Sequence, residues 1–253
     1  MRGTAVLLSG GLDSAVLLAD EAARLGAAGV QPIYVSAGLA WEAAERAMIA
    51  RLLATPPFAG LRPLASLTVD MRDVYAATHW AVRGTPPSYH TPDEDVYLPG
   101  RNIILLGKAG VFCALAGLSR IVLGTLAHNP FPDATDAFRD ALARALSLGL
   151  AHDLAIAAPF AGKSKAEVTR RGLELGVDLT LTLSCMNPIE SRTESRADSR
   201  TDSRIESRIE SRIPNPESRH CGVCSKCRER HDAFLELGMA DPTRYADERF
   251  VGA

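Results

Sequence analysis

Ser9-Gly10-Gly11-Leu12-Asp13-Ser14 stands directly behind the aliphatic run Thr4–Leu8 and opens the helical stretch Ser14–Leu25. Strand, glycine turn and helix in that order make the first half of a βαβ unit. The alternation continues outward from there. Strands are expected at Val30–Val35, Leu64–Val69, Ile121–Gly124 and Leu154–Ala157, and helices at Trp41–Leu53, Ile103–Leu118, Asp136–Ser147 and Lys165–Leu175. This spacing predicts an α/β fold with right-handed crossovers and a parallel sheet covered by helices on both faces. Ligands of such sheets bind beyond the carboxyl ends of the strands, so the glycine loop is where chemistry is expected.

The two glycines let the backbone take positive φ and approach an anion without a Cβ clash. Ser9 and Ser14 add hydroxyl donors, and the helix N-terminus adds free N–H groups and partial positive charge. The segment is therefore an anion cradle sized for phosphate. It is neither a Walker A loop nor a Gly-x-Gly-x-x-Gly fingerprint. Ser-Gly-Gly-x-Asp-Ser behind an N-terminal strand resembles the PP-loop of ATP pyrophosphatases, which implies a Rossmann-like sheet of the adenine nucleotide alpha-hydrolase type and cleavage of ATP between the α and β phosphates. The nucleotide-binding candidates are Leu8, Ser9, Gly10, Gly11, Leu12, Asp13, Ser14, Ala15, Val16, Leu17 and Leu18. Asp13 is the candidate to help hold Mg²⁺, because a hard cation takes carboxylate oxygen beside phosphate.

Composition sets outer bounds. With 253 residues, 47% of them hydrophobic and 23% charged, the chain reads as an ordinary globular protein. A net charge of −2 points neither to nucleic acid nor to an anionic membrane. The longest apolar stretch, Ile103–Leu118, is interrupted by Gly107, Lys108 and Gly110 and is too short to span a bilayer. No signal peptide is recognisable at the N-terminus, so a cytoplasmic location is expected.

Cysteine usage agrees with that location. Cys221, Cys224 and Cys227 crowd together, which in a reducing compartment reads as metal binding. A tetrahedral structural zinc needs a fourth ligand, and Cys185 and His220 compete for the place. Cys185 is favoured, because neighbouring His220 and Cys221 would strain the site. One structural zinc per chain would then staple the segment after Cys185 to a helix expected at Arg228–Leu237. Cys113, between Phe112 and Ala114 on an apolar helix, reads as a core thiol.

Two parts are expected: 1–184 as the nucleotide-binding α/β domain and 185–253 as a small zinc-stapled helical region. Residues 190–213 form a tandem Glu/Asp-Ser-Arg-x repeat with nearly balanced charge, read as a solvated insert.

Several stretches together resemble the 7-cyano-7-deazaguanine synthase family of the queuosine pathway. Besides the glycine loop they are Leu98-Pro99-Gly100-Arg101-Asn102, Pro132-Asp133, Lys163-Ser164-Lys165-Ala166-Glu167-Val168, Leu183-Ser184-Cys185 and Cys221-x-x-Cys224-x-x-Cys227. The resemblance covers nearly the whole chain except the repeat. It implies that ATP adenylates a deazapurine carboxylate, ammonia displaces AMP to give an amide, and a second ATP converts the amide to a nitrile. Asn102 is expected to cap the following helix and Arg101 to present a fixed cation. Lys163 is expected to neutralise leaving pyrophosphate, and Asp133 to pair with the amidine edge of the deazapurine. A homodimer is implied, without membrane or direct nucleic-acid partners. Where family members carry an Asp-Tyr-Gly stretch this chain reads Ser36-Ala37-Gly38-Leu39, and its loop Ala127–Ala134 is shorter. These departures keep a divergent PP-loop ligase, amidating a related acid or thiolating tRNA, as the alternative. A non-catalytic nucleotide-binding module is the rival from another class.

Overall fold

The computed structural model describes residues 3–190 and 218–250, so the tandem repeat, Glu190 apart, lies outside the described residues. Five parallel strands, β1 (Thr4–Leu7), β2 (Val30–Ser36), β3 (Ala65–Thr68), β4 (Arg120–Val122) and β5 (Ala155–Ala157), form one sheet in the order β3-β2-β1-β4-β5. Between and after them run α1 (Leu12–Leu25), α2 (Glu42–Leu52), α3 (Trp80–Arg83), α4 (Arg101–Ala116), α5 (Asp136–Leu150) and α6 (Lys165–Glu174). The expected strands and helices are present with ends shifted by a few residues. The short α3 has no counterpart in the sequence reading.

Alternation along the strands explains why helices cover both faces. Val6, Leu8, Tyr34 and Val122 face a core shared with Leu17 and Leu18 of α1, Ile49 and Leu52 of α2 and Val168 of α6. Their neighbours Ala5, Ile33, Ile121 and Leu123 face the opposite core, against Leu106, Ala109 and Cys113 of α4 and the apolar side of α5. Cys113 is thus a core thiol. The chain builds β1, β2 and β3 outward in one direction and returns to β4 and β5 on the other side of β1. The crevice at the carboxyl ends of β1 and β4 is the topological switch point.

The last part of the chain holds on through side chains. The ribbon of β6 (Ile189–Glu190) and β7 (Ser218–Arg219) is only two residues per strand. Arg230 of α7 (Ser225–Glu236) is fully buried and donates to Thr243 Oγ1 at 2.5 Å, Thr182 Oγ1 at 2.8 Å and the Leu179 carbonyl at 2.7 Å. Hydrogen bonds from a charged group contribute about 1.5–3 kcal/mol each, so this one side chain outweighs the ribbon. Gly222 has φ +81°, and a Cβ there would meet the Asp247 carbonyl oxygen at 1.8 Å, so no other residue fits that turn.

One expectation is corrected. Asn102 does not cap α4: Gly100, at φ +77°, is the N-cap, and Asn102 lies inside the first turn. No helix among the described residues is long and apolar enough to cross a membrane.

Candidate active site

Two adjoining cavities of about 250 Å³ and 270 Å³ lie at the switch point. The first is walled by strand ends and α4 through Leu7, Ile33, Tyr34, Leu105 and Leu123. The second lies under the loop 126–131 and is bounded by Trp41, Trp80, Lys165, Ser184 and Glu229. Trp41 and Trp80 stack with ring centroids 5.8 Å apart.

The glycine loop forms the floor of both. Gly11 is the N-cap of α1 and no side chain among the described residues caps the helix, which leaves first-turn N–H groups for an anion. The Ser9 amide and hydroxyl each lie 3.2 Å from Ser14 Oγ, and Ser14 donates to the Gly11 carbonyl at 3.0 Å, which sets the loop's curvature. Gly10 sits at φ +78° against α2, where a Cβ would approach Ile49 Cγ1 to 3.0 Å. Leu8, Ser9, Gly11, Asp13 and Ser14 line the cleft. Leu12, Ala15, Val16, Leu17 and Leu18 are 0% exposed and belong to the core, so of the expected nucleotide-binding segment only the first part reaches the cleft.

Asp13 is held by a cation that the sequence reading passed over. Lys165 Nζ donates to Asp13 Oδ2 at 2.6 Å and lies 3.4 Å from Glu229 Oε1, and Lys226 meets Glu229 Oε2 at 2.6 Å. Burial disfavours charge on Lys165, but Asp13 and Glu229 outweigh it and hold the ammonium above the usual lysine range. Burial likewise opposes the Glu229 carboxylate, yet its two lysines bring it down to about 2. Burial pushes the Asp13 carboxyl up, against the pull of Lys165. Lys163 is exposed and lines neither cavity. The signal that separates the two lysines is Ser164-x-x-Glu167, a capping box that makes Lys165 the first helical residue and leaves Lys163 outside.

Arg101 lines both cavities, and its buried Nε has no hydrogen-bond partner among the described residues. Asp133 lines the first cavity, but its Oδ2 accepts the Asn102 amide at 3.0 Å while Asn102 Nδ2 reaches its carbonyl at 3.0 Å. A carboxylate from the 132–134 turn therefore caps the first turn of α4, the turn that also carries Arg101.

Two buried glutamates on the first turn of α2 were also missed. Glu42 accepts from Ser36 Oγ at 2.5 Å and from the Ala37 amide at 2.6 Å. Glu45 accepts from Tyr34 O–H at 2.8 Å; burial pushes its carboxyl up to about 7, although Arg101 pulls the other way. The sequence carried a signal: Glu45 shares a helix face with Trp41, Met48, Ile49 and Leu52, where a charged residue is out of place.

Beyond the second cavity, Cys185, Cys221, Cys224 and Cys227 are buried with their sulfurs within 4.8 Å of one another. Amides of Asn187 and Cys221 donate to Cys185 Sγ at 3.3 and 3.2 Å. Four convergent sulfurs with N–H donors fit a closed tetrahedral metal site. His220 stands apart, its Nε2 accepting the Ser184 amide at 3.1 Å. The Leu183 amide donates to the Gly10 carbonyl at 2.7 Å and so ties the cluster's first strand of chain to the glycine loop.

A 3-2-1-4-5 parallel sheet with a Ser-Gly-Gly-x-Asp-Ser loop at its switch point defines a PP-loop nucleotide-binding protein. Within that class the chain belongs to the family described as Queuosine biosynthesis protein QueC, whose profile matches residues 4–238. A 7-cyano-7-deazaguanine synthase of Azoarcus sp. (strain BH72) is 31% identical over 247 residues, covering 95% of each chain. One from Thiobacillus denitrificans (strain ATCC 25259 / T1) is 32% identical over 254 residues, covering 95% of this chain and 97% of its own.

Proposed function

We propose that this chain is a 7-cyano-7-deazaguanine synthase, an ATP-dependent ligase that converts 7-carboxy-7-deazaguanine and ammonia to the nitrile with release of AMP and pyrophosphate. Family membership and the names of its relatives support the reaction. The observation that carries the site is a pair of opposite charges, each with a buried atom that has no partner among the described residues: Asp13 Oδ1 and Arg101 Nε, on residues that both line the cleft at the β1–β4 crevice. An orphaned carboxylate oxygen fits Mg²⁺, and an orphaned guanidinium N–H fits phosphate.

Adenosine fills the cavity framed by Tyr34, Ile33 and Leu105, and the phosphates follow the loop to Ser9 and Ser14. The second cavity takes the deazapurine acid, with Trp41 and Phe131 offering ring surface. Asp13 would hold Mg²⁺, which would neutralise phosphate charge. Lys165, with Arg101, stabilises the charge that develops on leaving pyrophosphate; Lys163 stands further out. Lys165 is preset by Asp13 and Glu229, so that cation needs little reorganisation as charge builds. Cys185, Cys221, Cys224 and Cys227 would hold a structural zinc that keeps 183–185 beside the loop. Ammonia as the nitrogen source and a homodimer belong to the same reading, carried from the family. All four cysteines near the cleft are committed to one cluster and Cys113 lies in the core, which favours this reading over sulfur transfer to tRNA.

Purified protein with MgATP, ammonium and 7-carboxy-7-deazaguanine should yield AMP and the nitrile by mass spectrometry. AMP with the amide alone would mark a branch that stops after one activation. No AMP above the substrate-free control would overturn the substrate.

A further inference from the structure

Residues common to both cavities mark the seam where they meet, among them Ser9, Gly11, Asp13, Glu45 and Arg101. With nucleotide and acid in one cavity each (the functional reading on which this rests), the bonds made and broken lie on that seam. Its ionisable side chains are Asp13, Arg101 and Glu45. Asp13 is bound to Lys165, and a guanidinium keeps its proton at any accessible pH. Glu45 is the group left to exchange protons.

Its surroundings suit that task. Tyr34 of β2 donates to Glu45 Oε2, Glu42 lies one turn earlier on α2, and Arg101 approaches from α4. The first turn of α2 that carries Glu45 packs on the phosphate loop through its backbone: a Cβ on Gly10 would come within 3.3 Å of the Glu45 main-chain carbonyl oxygen. The conversion of an amide to a nitrile must shed two N–H protons beside the α-phosphate.

We propose that Glu45 is the catalytic base for the nitrogen chemistry, taking the N–H protons as amide becomes nitrile. In the first step the amide oxygen attacks the α-phosphorus and pyrophosphate leaves. One N–H proton passes to Glu45, and its electron pair makes the C=N bond. In the second step the C–O bond breaks, with its electrons leaving on AMP. The other N–H proton passes to the carboxylate, which has released the first to solvent, and that pair completes the triple bond. Burial pushes the carboxyl up to about 7, so that near neutral pH it can both take up and release a proton. Adenylation of the carboxylate breaks no N–H bond and needs no such base.

The test separates these steps in Glu45→Gln, which keeps the shape and can still accept from Tyr34. Pyrophosphate exchange into ATP, driven by 7-carboxy-7-deazaguanine, should stay within about threefold of wild type. Conversion of the 7-amide to the nitrile, in which ammonia takes no part, should fall about 100-fold or more. The wild-type rate for the amide should rise with pH to a plateau above about 7. A variant that makes nitrile at near wild-type rate overturns the proposal. So does one that loses exchange as severely as nitrile formation, since Glu45 would then serve binding. Wild-type protein inert toward both acid and amide overturns the functional reading itself.

Discussion

Lys165 Nζ lies 2.6 Å from Asp13 Oδ2, joining the first turn of α6 to the first turn of α1 across 152 positions of sequence. The contact puts a lysine ammonium at the floor of the cleft, in direct contact with the phosphate loop's carboxylate. Lys163, two positions earlier, is exposed.

Lys165→Met should lower kcat/KM by about 100- to 1,000-fold, the usual loss when one preset charge stabiliser is removed. Lys163→Ala should leave turnover nearly unchanged. Steady-state AMP release measures both, and the opposite ranking would return the role to Lys163.

Asp133 separates a cap from a substrate contact. Asp133→Ala should destabilise the protein by about 1–2 kcal/mol through loss of the α4 cap. Asp133→Asn keeps an oxygen acceptor for the Asn102 amide and should retain most activity. Denaturant melts and turnover of the two variants decide: loss of activity in Asp133→Asn without loss of stability would make Asp133 a reader of the amidine edge.

Glu45→Gln should stabilise the protein, and only at higher pH. The folded carboxyl is raised from an ordinary 4.5 to about 7, so the folded state binds its proton more tightly than the unfolded chain does. Stability therefore falls as pH rises from 4.5 to 7, by about 3 kcal/mol in all. Gln carries no such penalty. Its advantage should be absent below pH 4.5 and level off above pH 7 in urea titrations of the nucleotide-free protein.

Metal analysis of the wild type should find one zinc per chain. Cys224→Ser should lose it and melt at lower temperature, because metal binding free energy is folding free energy at such sites. His220→Ala should keep its zinc, since the ring accepts the Ser184 amide instead. Loss of zinc in His220→Ala would return His220 to the ligand set.

The parallel sheet, the glycine loop and the cysteine cluster were legible because each is written in local spacing: short aliphatic runs alternating with longer amphipathic stretches, Gly-Gly between strand and helix, thiols three apart. Cys185 was found across the repeat by ligand count, and the structure brings it to the other three. The Asn102 cap was misread because Gly100, free to take positive φ, moved the helix start to Arg101.

What the sequence by itself determined is thus the class of fold and the chemical kinds present at the site, since the alternation of aliphatic runs with helical stretches, glycine freedom and thiol crowding act between near neighbours. What only the tertiary structure decided is which of those groups meet. Lys165 rather than Lys163 on Asp13, Asp133 on the α4 amide, and Glu45 at the seam of two cavities all depend on how the helices pack onto the sheet. Each contact spans elements far apart in the chain, and burial there, which sets what a carboxylate or an ammonium does, is a property of the packed assembly of side chains and of no single stretch.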